Sequence, residues 1–145
     1  MTLSKWKMFS EQDPSEAQIF SIVNNGADLS LSDNFDLREF ACNDGSDKVI
    51  VHPSLVALLQ AIRNHYGKPV RINSAYRTEE YNASVGGAPN SKHKLGMAAD
   101  IVVDGVEPED IAELAEEYFV GGIGMYNTFT HLDVYGSLRR WDYRT

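Results

Sequence analysis

Ala98-Ala99-Asp100-Ile101-Val102-Val103 is an apolar run of strand length with one acid near its middle. A carboxylate in such a setting is costly to bury unless it is paired, hydrogen-bonded or bound to a metal. Asp100 is therefore either a strand acid that accepts backbone hydrogen bonds or part of a site. Downstream, Pro108 to Phe119 reads as an acidic amphipathic helix with Ile111, Leu114, Ala115 and Tyr118 turned inward. Ile123 to Tyr126 and Thr130 to Tyr135 read as two strands joined by a turn near Asn127. Side chains two apart on a strand share a face, so His131, Asp133 and Tyr135 point one way, and Leu132 and Val134 point to the core.

Upstream, Val70, Ile72 and Ser74 alternate with Arg71 and Asn73, which predicts a short strand. Pro53 to Tyr66 is the clearest helix, because Leu55, Leu58, Leu59, Ile62 and Tyr66 form one stripe and Gly67 stands where the helix should stop. A short helix is expected from Thr78 to Val85, ended by Gly86. Phe35, Leu37 and Phe40 anchor a segment that ends near Cys42, and Asn43 to Asp47 reads as a loop. Asp13-Pro14-Ser15-Glu16 looks like a helix start, with Ile19, Phe20 and Val23 on one face and Gly26 as its end. Helices lead and strands cluster late, which predicts an α+β fold, a small antiparallel sheet packed with helices.

The 145 residues suit a single domain, and 43% apolar content is enough for a core. A net charge of -8 argues against a nucleic-acid surface and against adhesion to an anionic membrane or wall polymer by charge alone. One cysteine excludes an intramolecular disulfide and a cysteine-rich metal site. No apolar run reaches the length of a membrane span. Lys5 and Lys7 are followed by no apolar stretch, so no secretory signal is read; work outside the cytoplasm would then require lysis, a phage particle or a precursor. A monomer is expected.

Ser91-Lys92-His93-Lys94-Leu95-Gly96 carries a histidine that, read alone, is a solvated loop residue. Together, His93, Asp100 and His131 supply two imidazoles and a carboxylate, a set suited to catalytic zinc with one position left open. A carboxylate at Asp133, on the face of His131, would orient that ring. The spacing is not the helical His-Glu-x-x-His arrangement. His65 suits a helix C-terminus, His52 reads as a loop residue, Cys42 as a small buried group, and the acids from Glu107 to Glu117 as a solvated helix face. Arg139-Arg140-Trp141 receives no role beyond Trp141 covering the core.

Ser91 to Asp100 also matches Ser-x-His-x-x-Gly-x-Ala-x-Asp, and the chain on this ground resembles the D-alanyl-D-alanine carboxypeptidase-like branch of the M15 zinc peptidases. Ser74-Ala75-Tyr76-Arg77, Asn82 with Val85-Gly86-Gly87-Ala88, and His131-Leu132-Asp133 resemble further family elements in the same order. The likeness covers roughly residues 35–141, with residues 1–34 as a helical extension of the same domain. It implies one zinc per chain, on the sheet face, held by His93, Asp100 and His131. It implies hydrolysis of an amide in the peptide stem of peptidoglycan, by carboxypeptidase or endopeptidase action at the cell wall. Arg77 would stabilise an oxyanion or hold a substrate carboxylate, and Ser91 would bind substrate or shape its loop. Several relatives carry a Glu as general base where this chain has Thr128. Asp133 is then either the base or the group that holds the His131 ring; were the second position of that element the ligand, Asp133 would bind the metal itself. The competing expectation is a non-catalytic, zinc-braced peptidoglycan-binding or phage structural module.

Overall fold

The computed structural model describes residues 8–145; the reading of Lys5 and Lys7 lies outside the described residues. The fold is α+β, as expected. A five-stranded sheet of β5 (Val70–Ser74), β6 (Ala98–Val103), β8 (Thr130–Asp133), β7 (Gly122–Met125) and β9 (Arg139–Asp142), in that spatial order, carries the candidate site. Two-stranded ladders join β1 (Gln18–Ser21) to β4 (Lys48–Val51) and β2 (Ser30–Ser32) to β3 (Phe35–Asp36). The helices are α1 (Ile22–Asn25), α2 (Pro53–Tyr66), α3 (Glu79–Ser84) and α4 (Pro108–Glu117). Among the described residues, no helix is long and apolar enough to cross a membrane.

The periodic segments fold as their patterns dictate. Leu55, Leu58, Leu59 and Ile62 of α2 are buried, and Gly67 ends the helix in the left-handed region at φ 62°. Ile111, Leu114 and Ala115 of α4 are buried too. Thr78 caps α3 by accepting from the Tyr81 amide at 3.1 Å. Apolar side chains of both helices meet Ile101, Ile123 and Leu132 of the sheet in one core.

Three expectations need correction. The helix predicted through Ile19, Phe20 and Val23 does not form. Asp13 does cap a helical turn, with its carboxylate accepting from the Ser15 amide at 2.9 Å, but that turn is only Pro14–Glu16. The chain then enters β1 because Lys48–Val51 offers it an antiparallel partner; Ile19 and Val23 stay 70% and 82% exposed. Gly26 does stop a helix, but only the four-residue α1. The sheet is not wholly antiparallel: β9 lies parallel to β7. After β8 the chain turns back past its hairpin partner and pairs on the far side of β7. His52 is no ordinary loop residue. It is buried, caps α2 through Nδ1 at 3.0 Å from the Ser54 amide, and places Nε2 2.9 Å from the Asp13 carbonyl.

Candidate metal centre

Backbone register gathers the site. Ser74, Asp100, His131, Gly124 and Trp141 are successive cross-strand partners over all five strands. Asp100 and His131 are thus adjacent because β6 and β8 pair there. His93 arrives from outside the sheet, on a 3-10 turn at Lys92–Leu95. Ser91 caps that turn, its hydroxyl accepting from the His93 amide at 3.2 Å. Gly96 closes it at φ 72°, and a Cβ there would lie 2.3 Å from the Ile50 carbonyl oxygen. The turn is therefore pressed against β4, and His93 is only 3% exposed, contrary to a solvated loop histidine.

His93, Asp100 and His131 each offer a ligand atom within 4.8 Å of the others. Asp100 Oδ1 lies 3.2 Å from His93 Nε2 and 3.0 Å from His131 Nδ1. Tetrahedral zinc with N and O bonds of about 2.0–2.1 Å requires donor separations of roughly 3.3 Å, so these spacings fit a common ion. The far nitrogens fit as well. His93 Nδ1 sits 2.7 Å from the Ala75 carbonyl, which can only accept, so Nδ1 carries the proton and Nε2 faces the centre. His131 Nε2 sits 2.9 Å from Asp133 Oδ2, which likewise leaves Nδ1 for the centre. Each ring is thus held by a partner that fixes its tautomer, the usual condition of a metal-binding histidine.

Burial alone would raise the Asp100 carboxyl, but the imidazoles of His131 and His93 hold it far below the ordinary carboxylate range. Burial would lower His131; Asp100 and Asp133 override it, and its pKa is pushed up to about 9. Asp133 follows the same logic: burial works to raise it, while His131 and Arg139 keep it low. Two imidazole nitrogens that meet on one carboxylate oxygen favour a proton or a cation between the donors.

Arg77 donates from Nη2 to Asp100 Oδ2 at 3.3 Å, from Nε to the Ser74 hydroxyl at 3.0 Å, and from Nη1 to Asn82 Oδ1 at 3.1 Å. Asn82 in turn donates to the Ala88 carbonyl at 2.9 Å. A Cβ on Gly87 would fall 2.0 Å from Asn82 Oδ1, so the glycine lets the loop close over that side chain. Asp133 is fully buried, and both its oxygens are engaged: Oδ2 by His131, Oδ1 by the Arg139 guanidinium and the Tyr135 amide.

A cleft of about 480 Å³ opens on the cluster; Arg77, Lys92, Tyr126, Phe129, Trp141 and Tyr143 are among its lining residues. Tyr126 stacks on Phe129 with centroids 4.4 Å apart, and Trp141 Nε1 donates to the Tyr126 hydroxyl at 3.0 Å. A second groove of about 410 Å³, beside α2 and β1, is lined by groups such as Phe20, Leu31 and Val56 and by no titratable side chain. Arg139, given no role from sequence, contacts Asp133 directly, and Trp141, read as covering the core, is instead half-buried in the cleft wall against His131. The available signal was Gly122-Ile123-Gly124, since glycine inside a strand marks close approach of another group.

The sequence profile described as Peptidase M15 matches residues 31–133, and the chain belongs to that family. It is similar to the zinc D-Ala-D-Ala carboxypeptidase of Streptomyces albus G, 48% identical over 44 residues that make up 30% of this chain and 17% of the relative. It is also similar to the peptidoglycan L,D-endopeptidase MepK of Escherichia coli (strain K12), 32% identical over 100 residues, 63% of this chain and 54% of that protein. The matched part thus spans about half of the second relative and less of the first.

Proposed function

We propose that this chain is a zinc-dependent peptidase that hydrolyses an amide bond in the peptide stem of peptidoglycan, as a carboxypeptidase or an endopeptidase. The observation that carries the reading is the convergence of three donors whose outer nitrogens are already committed to orienting partners. Family membership and the activities for which the two relatives are named support the substrate class. His93 Nε2, Asp100 Oδ1 and His131 Nδ1 would hold the ion on the sheet face, open to the cleft. When bound there, zinc supplies Lewis acidity toward a carbonyl oxygen and acidifies water.

The side chains divide the remaining work. Arg77, with a guanidinium edge at Asp100 and a place in the cleft wall, would donate to a carbonyl oxygen as it gains charge, or hold a substrate carboxylate. Its three hydrogen-bonded partners fix it before substrate arrives. Asp133 is assigned to holding the His131 ring, because its oxygens are occupied and it has no exposed surface. Ser91 is assigned to shaping the His93 turn. The aromatic side chains of the cleft would shield the reacting amide from bulk water.

The test is product analysis of purified peptidoglycan digested with and without a chelator. New stem-peptide termini that vanish on chelation and return with zinc are expected. Termini that persist after complete chelation would defeat the metal reading. Bound zinc without new termini would favour the brace module, for which Thr128, where several relatives carry a Glu, is the specific support.

A further inference from the structure

Strand β9 lies outside the matched residues 31–133, yet two of its side chains reach the candidate centre across an intervening strand. They do so in alternate register rows, two residues apart along each strand. In one, His131 on β8 pairs with Gly124 on β7, which pairs with Trp141 on β9. In the other, Asp133 pairs with Gly122, which pairs with Arg139. Both intervening positions are glycine, and both need to be. A Cβ on Gly124 would lie 2.3 Å from the Trp141 indole, and one on Gly122 would lie 2.1 Å from Asp133 Oδ2. Glycine weakens a strand interior by lost entropy and lost packing. Gly124 makes room for the β9 indole and Gly122 for the Asp133 carboxylate that Arg139 holds; an edge strand that merely finished the sheet would have no use for the first.

We propose that β9 sets the geometry of the metal centre, with Arg139 and Trp141 as positioning residues for His131. The inference rests on His131 being a zinc ligand. Arg139 Nη2 bonds Asp133 Oδ1 and donates to the Tyr135 carbonyl at 2.6 Å, so a single guanidinium nitrogen serves both groups. Asp133 is a fully buried anion, and this guanidinium compensates its charge. With Oδ1 taken, Oδ2 is left to accept from His131 Nε2, which directs Nδ1 at Asp100. Trp141 packs its ring 5.1 Å from that of His131, and the His93 ring lies 5.2 Å from it. The imidazole is thereby fixed at one end by Asp133 and confined by two neighbouring rings. Arg140, between the two on β9, bonds elsewhere: to Glu116 at 2.7 Å and to the Gly121 and Val120 carbonyls at 2.7 and 2.9 Å. It anchors the same strand without touching the centre.

That contrast supplies the test. Zinc affinity is measured by competition with a chromophoric chelator, and site geometry by the visible absorption of the cobalt-substituted protein. Arg139→Met and Trp141→Ala are expected to weaken zinc binding about 10–100-fold, the usual loss when a ligand's supporting partner is removed, and to change the cobalt spectrum. Arg139→Lys, which keeps the charge and loses the planar guanidinium, falls between. Arg140→Met lowers the melting temperature but leaves zinc affinity and spectrum as in the unaltered protein. Should Arg139→Met not fold, Arg139→Lys and Trp141→Phe decide, each with a shifted cobalt spectrum expected. Folded Arg139 and Trp141 variants with unaltered affinity and spectrum, or an Arg140→Met effect of equal size, would overturn the inference. Failure of the unaltered chain to bind zinc or cobalt would instead overturn the metal-centre reading itself, and this inference with it.

Discussion

Asp100 and His131 are register partners on neighbouring antiparallel strands, and Asp100 Oδ1 stands 3.0 Å from His131 Nδ1. The hydrogen-bond ladder that builds the sheet thus also builds two-thirds of the donor set. The third donor, His93, depends on a single tight turn.

Removing a donor should therefore empty the centre without dismantling the sheet. His93→Ala and Asp100→Ala are expected to lower bound zinc from one per chain to background and to abolish release of stem-peptide products. Elemental analysis of the purified variants, alongside circular dichroism, checks this. Full zinc occupancy in either variant would show that the ion sits elsewhere.

The pH dependence has a definite sign. His131 has a folded pKa raised to about 9, so its contribution is complete below its ordinary value of 6.5 and is lost as pH rises through about 9. Asp100 is depressed, so its contribution is present above 3.8 and is lost as pH falls toward its lower folded value. The zinc-free chain should accordingly melt highest between about pH 4 and 6.5. Zinc competes with the His131 proton, so the rise in melting temperature on adding zinc should grow from pH 6 to 9. Melting curves with zinc and with chelator across that range measure both. A zinc-free melting temperature that climbs between pH 6.5 and 9 would contradict the assignment.

Arg77 should matter more to rate than to metal. Arg77→Met is expected to lower the cleavage rate about 100-fold or more, the scale of losing one donor to a developing oxyanion, with a smaller change in zinc affinity. Gly87→Ala acts on the same group indirectly, because the added methyl must displace Asn82, which also receives Arg77. Its rate should fall less than that of Arg77→Met, with zinc content unchanged. Kinetics beside chelator titrations separate the two effects. Equal losses of rate and zinc would recast Arg77 as a purely structural ion pair.

Gly96→Ala should couple stability to the centre. The position has φ 72°, and a methyl would press on the Ile50 carbonyl, so a loss of more than about 1 kcal/mol is expected. Relief would require moving the turn that carries His93, so zinc affinity should drop as well. Denaturant unfolding and chelator competition on the same variant give the two readings; stability lost with affinity intact would detach the turn from the metal.

Local patterns made much of this legible. The stripe of α2, the alternation of β5 and the apolar run of β6 each declare their element within a few residues. Pairing between distant segments does not. Gln18–Ser21 looked helical because Ile19, Phe20 and Val23 share a helical face, and only the remote Lys48–Val51 makes it a strand. Arg139-Arg140-Trp141 shows no strand alternation, since its pattern answers to Asp133 and His131 across β7. The three candidate donors were legible as residue types and through the resemblance that Ser91 to Asp100 carries; their convergence was not. The Asp133 carboxylate, two residues on and on the same strand face, was legible as the partner of His131, whereas the Ala75 carbonyl that orients His93 depends on tertiary placement that spacing cannot express.

The crossover that carries β9 beyond β7 bears on where this unit can be cut. A fragment trimmed at Asp133, where the family profile's match ends, would keep every donor of the centre. It would also bare one side of β7, a glycine-rich margin of unpaired amides and carbonyls inviting contact with other chains. Recombinant fragments should therefore run through Asp142 at least, and a soluble product ending sooner would be an unexpected gain.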